Sequence, residues 1–168
     1  MTNLWSSRPA DYRRLLNPAF CGLLVSRAVK GFEELAVEGM PLPLSFLVLP
    51  MVLPTTIREA LPVLSTTSFP KWIHENPEVR VGFSRKVRSL SQVTREGLLF
   101  YLERRTLFIG SDQRVSSVPR RLSATGLADL EKKSHLVTDM VNKARFVGRW
   151  FARSGEPSTI FFLLGLRP

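Results

Sequence analysis

The sequence predicts an α+β protein, mostly helical, with a winged-helix-like core, a short hairpin and a C-terminal strand. Three observations lead there. Apolar residues recur at steps of three and four over most of the chain, as helices with one buried face require. The segment FSRKVRSLSQVTREGLLFYLERRTLFIGSDQRVSSVPRRL reads helix, turn, helix, hairpin. The last apolar run, inside EPSTIFFLLGLRP, reads as a strand over residues 159–166. At 168 residues, 44% of them apolar, the chain is expected to form one domain with a core that needs no staples. Residues 1–62 are its helical N-terminal part, 78–118 the winged-helix-like segment, and 123–168 a long helix plus the strand.

The first element is expected from about residue 8 or 9 to 37. Leu16, Phe20, Leu23, Leu24, Phe32 and Leu35 mark its apolar face. Ser7 is its expected cap, with Pro9 in the first turn. Asn17-Pro18 falls inside the pattern and predicts two helices or a kink, because proline disfavours helix in the residue before it. Gly39 is the expected stop.

The tract GMPLPLSFLVLPMVLP is too short to span a bilayer and carries four prolines. It is read as a buried strand or short segment. A short helix, TIREALP, follows, capped by Thr55 or Thr56 and ended by Pro62. After a loop, Trp72 and Ile73 anchor KWIHENPEV.

Pro77 then opens a helix through about Leu90, with Val79, Phe83, Val87 and Leu90 on one side. Ser89, Ser91 and Gln92 make the expected turn, and a second helix covers about 93–104. TLFIGSDQRVSSV supplies two short strands around Gly110-Ser111-Asp112. Ser123 or Thr125 starts the last long helix. Its seam runs through Leu127, Leu130, Val137, Met140, Val141, Ala144, Val147, Trp150 and Phe151, and Ser154-Gly155 ends it.

Charge is unevenly placed. Residues 1–84 carry 8 Lys and Arg against 7 Asp and Glu, a net +1. Residues 85–168 carry 16 against 7, a net +9. A basic half on a winged-helix pattern points to nucleic acid or to an acidic partner. The candidate contacts are Arg85, Lys86, Arg88, Arg95, Arg104, Arg105, Arg114, Arg120 and Arg121. If the second helix reads a major groove, Ser91, Gln92, Thr94 and Arg95 at its start would meet base edges. Against that stands the run Leu98 to Leu102, apolar on nearly every side, which suits a buried or partner-facing helix.

Catalytic patterns are missing from the sequence. His74 and His135 each stand alone, without a second His or Cys at zinc-ligand spacing. There is no phosphate-binding Gly-rich loop and no G-x-S-x-G. The 14 acids are dispersed, unlike the clustered carboxylates of two-metal nucleases. Cys21, the single cysteine, is expected to be a buried small hydrophobe in a reducing compartment. The N-terminus does not read as a secretory signal. A cytoplasmic protein with no enzyme activity, metal or cofactor is the expectation.

NLWSSRP, LLNPAFCGLLVSRAVKGFE, GMPLPLSFLVLPMVLPTTIREALP, WIHENPEVRVGF, TREGLLFYLERR and STIFFLLGLRP resemble, in this order, the middle component of bacterial three-component ABC defence systems, such as the Lamassu type. The resemblance spans nearly the whole chain. It implies an accessory subunit of an anti-phage or anti-plasmid complex. That subunit would bridge an SMC-like ABC ATPase and a nuclease-like effector, and would meet double-stranded DNA through the complex. It brings no catalytic residue with it. A stand-alone winged-helix DNA-binding regulator is the alternative that the residues leave open.

Overall fold

The computed structural model describes residues 16–119 and 134–167. The expected helix start near Ser7 and Pro9, the start at Ser123 or Thr125, and Arg120 and Arg121 lie outside these residues. The fold is mostly helical with a three-stranded antiparallel sheet.

Helix α1 (Pro18–Glu33) begins where the Asn17-Pro18 pair foretold a break. The Asn17 side chain accepts a hydrogen bond from the Ala19 N–H at 2.8 Å, and Pro18 occupies the first turn, where a missing N–H costs nothing. Cys21 to Val25, Ala28, Val29 and Phe32 are all buried. The helix is therefore enclosed rather than amphipathic. It ends at Glu33, short of Gly39.

The proline-rich tract is a correction. Only Met40–Pro41 form a strand, β1; the rest is helix α2 (Leu42–Val52). Pro41 and Pro43 sit at the cap and in the first turn, where no helical N–H is needed. Pro50 removes one hydrogen bond near the far end. An unbroken apolar run fits a helix buried on most sides as well as a strand buried on both faces, so periodicity cannot separate the two. Helix α3 (Thr55–Ala60) is capped by Pro54 and not by a threonine hydroxyl, and it stops before Leu61-Pro62 as expected.

Helix α4 (Phe69–Glu75) is capped by Ser68, and Trp72 and Ile73 are buried as predicted. A 3-10 turn (Pro77–Arg80) follows, and Gly82 takes a left-handed φ of 69°. Next comes the second correction. One continuous helix, α5 (Phe83–Glu103), replaces the expected helix–turn–helix. Between Gly82 and Gly97 no residue breaks it. The Ser89, Ser91 and Thr94 hydroxyls donate back to the carbonyls of Lys86, Arg88 and Leu90, so these turn-forming residues are satisfied inside the helix. The core seam Phe83, Val87, Leu90, Thr94 and Leu98 runs through the supposed turn without losing phase. With the turn goes the winged-helix geometry that would present a second helix to a major groove.

The hairpin is as expected. Strands β2 (Leu107–Ile109) and β3 (Arg114–Ser117) pair antiparallel, with Ile109 opposite Val115. Gln113, at φ 59°, closes the loop. The sequence did not signal that β1 adds to the other side of β3, giving the order β1-β3-β2.

Helix α6 (His135–Arg153) carries the predicted seam from Val137 to Phe151, and Ser154-Gly155 ends it; Leu127 and Leu130 lie outside the described residues. The expected C-terminal strand is instead helix α7 (Pro157–Leu163). Pro157 opens it, and Ile160, Leu163 and Leu164 turn inward at helical spacing. Gly165, at φ 72°, closes it in a Schellman motif: its N–H bonds Phe162, and the Leu166 N–H bonds Phe161.

Packing centres on α1, which α5 and α6 cross at contact distance. A Cβ on Gly22 would lie 2.5 Å from the Gly97 carbonyl oxygen, and one on Gly97 would lie 2.7 Å from the Gly22 nitrogen. On the α6 side, a Cβ on Gly31 would run into the Arg145 carbonyl, and one on Gly148 into that of Ala28. Beyond this crossing, Phe69, Trp72, Phe146, Trp150 and Phe151 cluster. The two indoles meet edge to face at 4.9 Å. Each indole N–H is satisfied, Trp72 by the Ala60 carbonyl and Trp150 by that of Thr67.

Candidate functional site

The cations nominated by the sequence fall into distinct environments. Arg85, Arg88 and Arg95 lie on the outer face of α5. With Gln92 and Leu99 they follow one another at steps of three and four, so they form one stripe (Arg85, Arg88, Gln92, Arg95, Leu99). At 1.5 Å per residue the stripe is about 21 Å long. All five side chains are exposed, and the three guanidiniums make no ion pair with any described residue. Lys86 is half-buried on the side of the same helix. Ser91 is half-buried, and Thr94 is fully buried with its hydroxyl bound to Leu90. Thr94 therefore cannot meet a base edge.

The other nominated cations are placed differently. Arg104 caps α5 and lies over the Phe100 ring at 3.5 Å, a cation–π contact. Arg105 takes a left-handed φ of 53° just past the helix end. Arg114, on β3, is half-buried. It donates to the Gly39 carbonyl at 3.0 Å and pairs with Glu38 at 3.6 Å and Asp112 at 3.8 Å. Its charge is used within the fold, joining β1 to the hairpin.

A cleft of about 510 Å³ opens beside the stripe, lined by Phe46 of α2 and by Ser91, Gln92, Arg95, Glu96 and Leu99 of α5. The Gln92 amide donates to Glu96 across its floor at 3.1 Å. Phe46 and Leu99 give the cleft an apolar wall, and Arg95 gives it a cationic rim. Phe46 was not nominated from the sequence, because its place beside α5 follows only once α2 is a helix.

Polar groups elsewhere serve the fold. Glu34 accepts from Arg145 at 2.6 Å and pairs with Arg149 at 3.7 Å. Both Glu33 carboxylate oxygens accept from Ser117, which ties α1 to β3. Burial pushes the Lys30 ammonium below its ordinary pKa. Arg27 and Arg145 add to that, and Glu33 opposes it. Arg58 is 3% exposed. It donates to the Val52 and Leu53 carbonyls at 2.8 and 3.0 Å and to Asp139 at 2.8 Å. His74 and His135 are exposed on separate helices, and no three His, Cys, Asp or Glu side chains gather at metal-binding distance among the described residues. No helix of those residues is long and apolar enough to cross a membrane.

Residues 5–168 match the family model described as ABC-three component (ABC-3C) system Middle Component 3. Neither the curated proteins nor the solved structures give a match.

Proposed function

The chain belongs to the ABC-three component system Middle Component 3 family, and from that premise we propose that it is a non-enzymatic accessory subunit of an anti-phage or anti-plasmid complex, of which the Lamassu type is one form. On this reading it works in the cytoplasm and bridges an SMC-like ABC ATPase and a nuclease-like effector. Double-stranded DNA is met through the assembled complex. One observation carries the reading beyond the family. An exposed stripe on α5 combines exposed Leu99 with three guanidiniums that make no ion pair with any described residue, whereas Arg58 and Arg114 are committed to contacts within the fold. Uncommitted charge beside exposed apolar surface suits docking onto another subunit.

The test is co-expression with the other two components, followed by affinity purification through this chain. Retention of both at moderate salt is expected. If the chain elutes alone as a stable monomer under every condition, the reading fails.

A further inference from the structure

We propose that the outer face of α5 and its cleft receive an acidic amphipathic helix from a partner subunit; this rests on the reading that the chain works inside a multi-subunit complex. The occupant is specified by three features. Arg85, Arg88 and Arg95 repeat at helical spacing along about 15 Å, so carboxylates at three- and seven-residue steps on a facing helix can reach each of them. Nothing among the described residues neutralises these guanidiniums. The stripe ends at Leu99, beside Phe46, where the cleft of about 510 Å³ offers room for one or two apolar side chains of the same helix.

DNA fits this face less well. Leu99 and Phe46 present hydrocarbon to whatever lies in the cleft, a surface that a phosphate backbone leaves unused. An amphipathic helix uses both halves of the surface. Its carboxylates meet Arg85, Arg88 and Arg95, and its apolar residues cover Leu99. Glu96 stays paired to Gln92 beneath it. Guanidiniums suit this role because each can hold a carboxylate in two parallel hydrogen bonds.

A photo-reactive amino acid placed at Gln92 in the full chain, co-expressed with the other two components, identifies the occupant. A second copy of the experiment carries it at Phe108, on the exposed side of β2, as a control. The expected adduct at Gln92 is a peptide of another subunit rich in Asp and Glu at helical steps. In parallel, the double variant Arg88→Glu/Arg95→Glu should weaken assembly at least tenfold while leaving the melting temperature of the isolated subunit unchanged. It should also remove most of the salt dependence of assembly. Leu99→Gln should weaken assembly as well, without that change in salt response. An adduct to DNA or to a second copy of this chain overturns the proposal, and so does full assembly by the double variant. If the complex forms and cross-links only through Phe108, the proposal falls while the subunit reading stands. If no complex forms at all, both fall.

Discussion

Helices α1 and α5 are both long and both touch, yet they tolerate change in opposite ways. On α1, contact is made backbone to backbone. Gly22 meets Gly97, and Gly31 and Gly148 bring α6 down onto the same helix. No side-chain rearrangement can make room there, because the opposing atoms are carbonyls and amides. On the outer face of α5 stand long flexible cations that form no ion pair with an acid among the described residues. The inner surface defines what the molecule is. The outer one is free to be chosen for what it meets.

The sharpest way to break this contrast is Gly148→Leu. The first added carbon already collides with the Ala28 carbonyl, so α6 must move off α1. A loss of about 3 kcal/mol or more is expected, read from urea denaturation. A loss below about 1 kcal/mol would mean that the helices do not cross this closely.

Arg58→Met is expected to come next. It leaves the Val52 and Leu53 carbonyls without a donor at the end of α2, and it frees Asp139, which is itself half-exposed. The cost should be about 2 kcal/mol, much of it from the stranded carbonyls. A change within about 0.5 kcal/mol would show that water replaces the guanidinium.

The smallest effect concerns Tyr101, whose ring packs on Gly22 at the border between the two surfaces. Burial raises its phenol above the ordinary pKa, while Arg104 and then Arg27 pull the other way. Because the folded value is the higher one, the stability this group supplies is complete below the ordinary tyrosine range, near pH 10. It is lost as pH rises through the raised value. Urea midpoints of the protein and of Tyr101→Phe, compared at about pH 8 and about pH 11, should move in favour of the variant at the alkaline end. Parallel midpoints would place the phenol in water.

The sequence made some of this legible and hid the rest for identifiable reasons. The Asn17-Pro18 break, the Trp72–Ile73 anchor, the hairpin and the seam of α6 were all visible. Each is local or strictly periodic. Ser89, Ser91 and Gln92 suggested a turn because serine favours turns, but it also sits in helices once its hydroxyl reaches a carbonyl behind it. The unbroken phase from Phe83 to Leu98 was the better signal. The tract holding Leu42–Val52 suggested a buried strand or short segment and residues 159–166 a strand, yet both form helices, since short apolar runs suit buried strands and buried helices alike.

The inner glycines were readable in principle. Gly22, Gly31, Gly97 and Gly148 sit within helical patterns, where each is worse than alanine by about 1 kcal/mol. Such positions point to a close neighbour without naming it. The stripe on α5 was nominated residue by residue, but its members could be joined only when the turn between them disappeared.

The enclosure of α1 also sets an order of events during synthesis. This helix is made early and has almost no polar face, yet α6, which crosses it through Gly31 and Gly148, emerges roughly a hundred residues later, several seconds at ordinary rates of translation. Until then its apolar surface has no permanent cover. The nascent chain is thus most vulnerable in the interval before α6 arrives, and that interval is where a chaperone would find the most to hold.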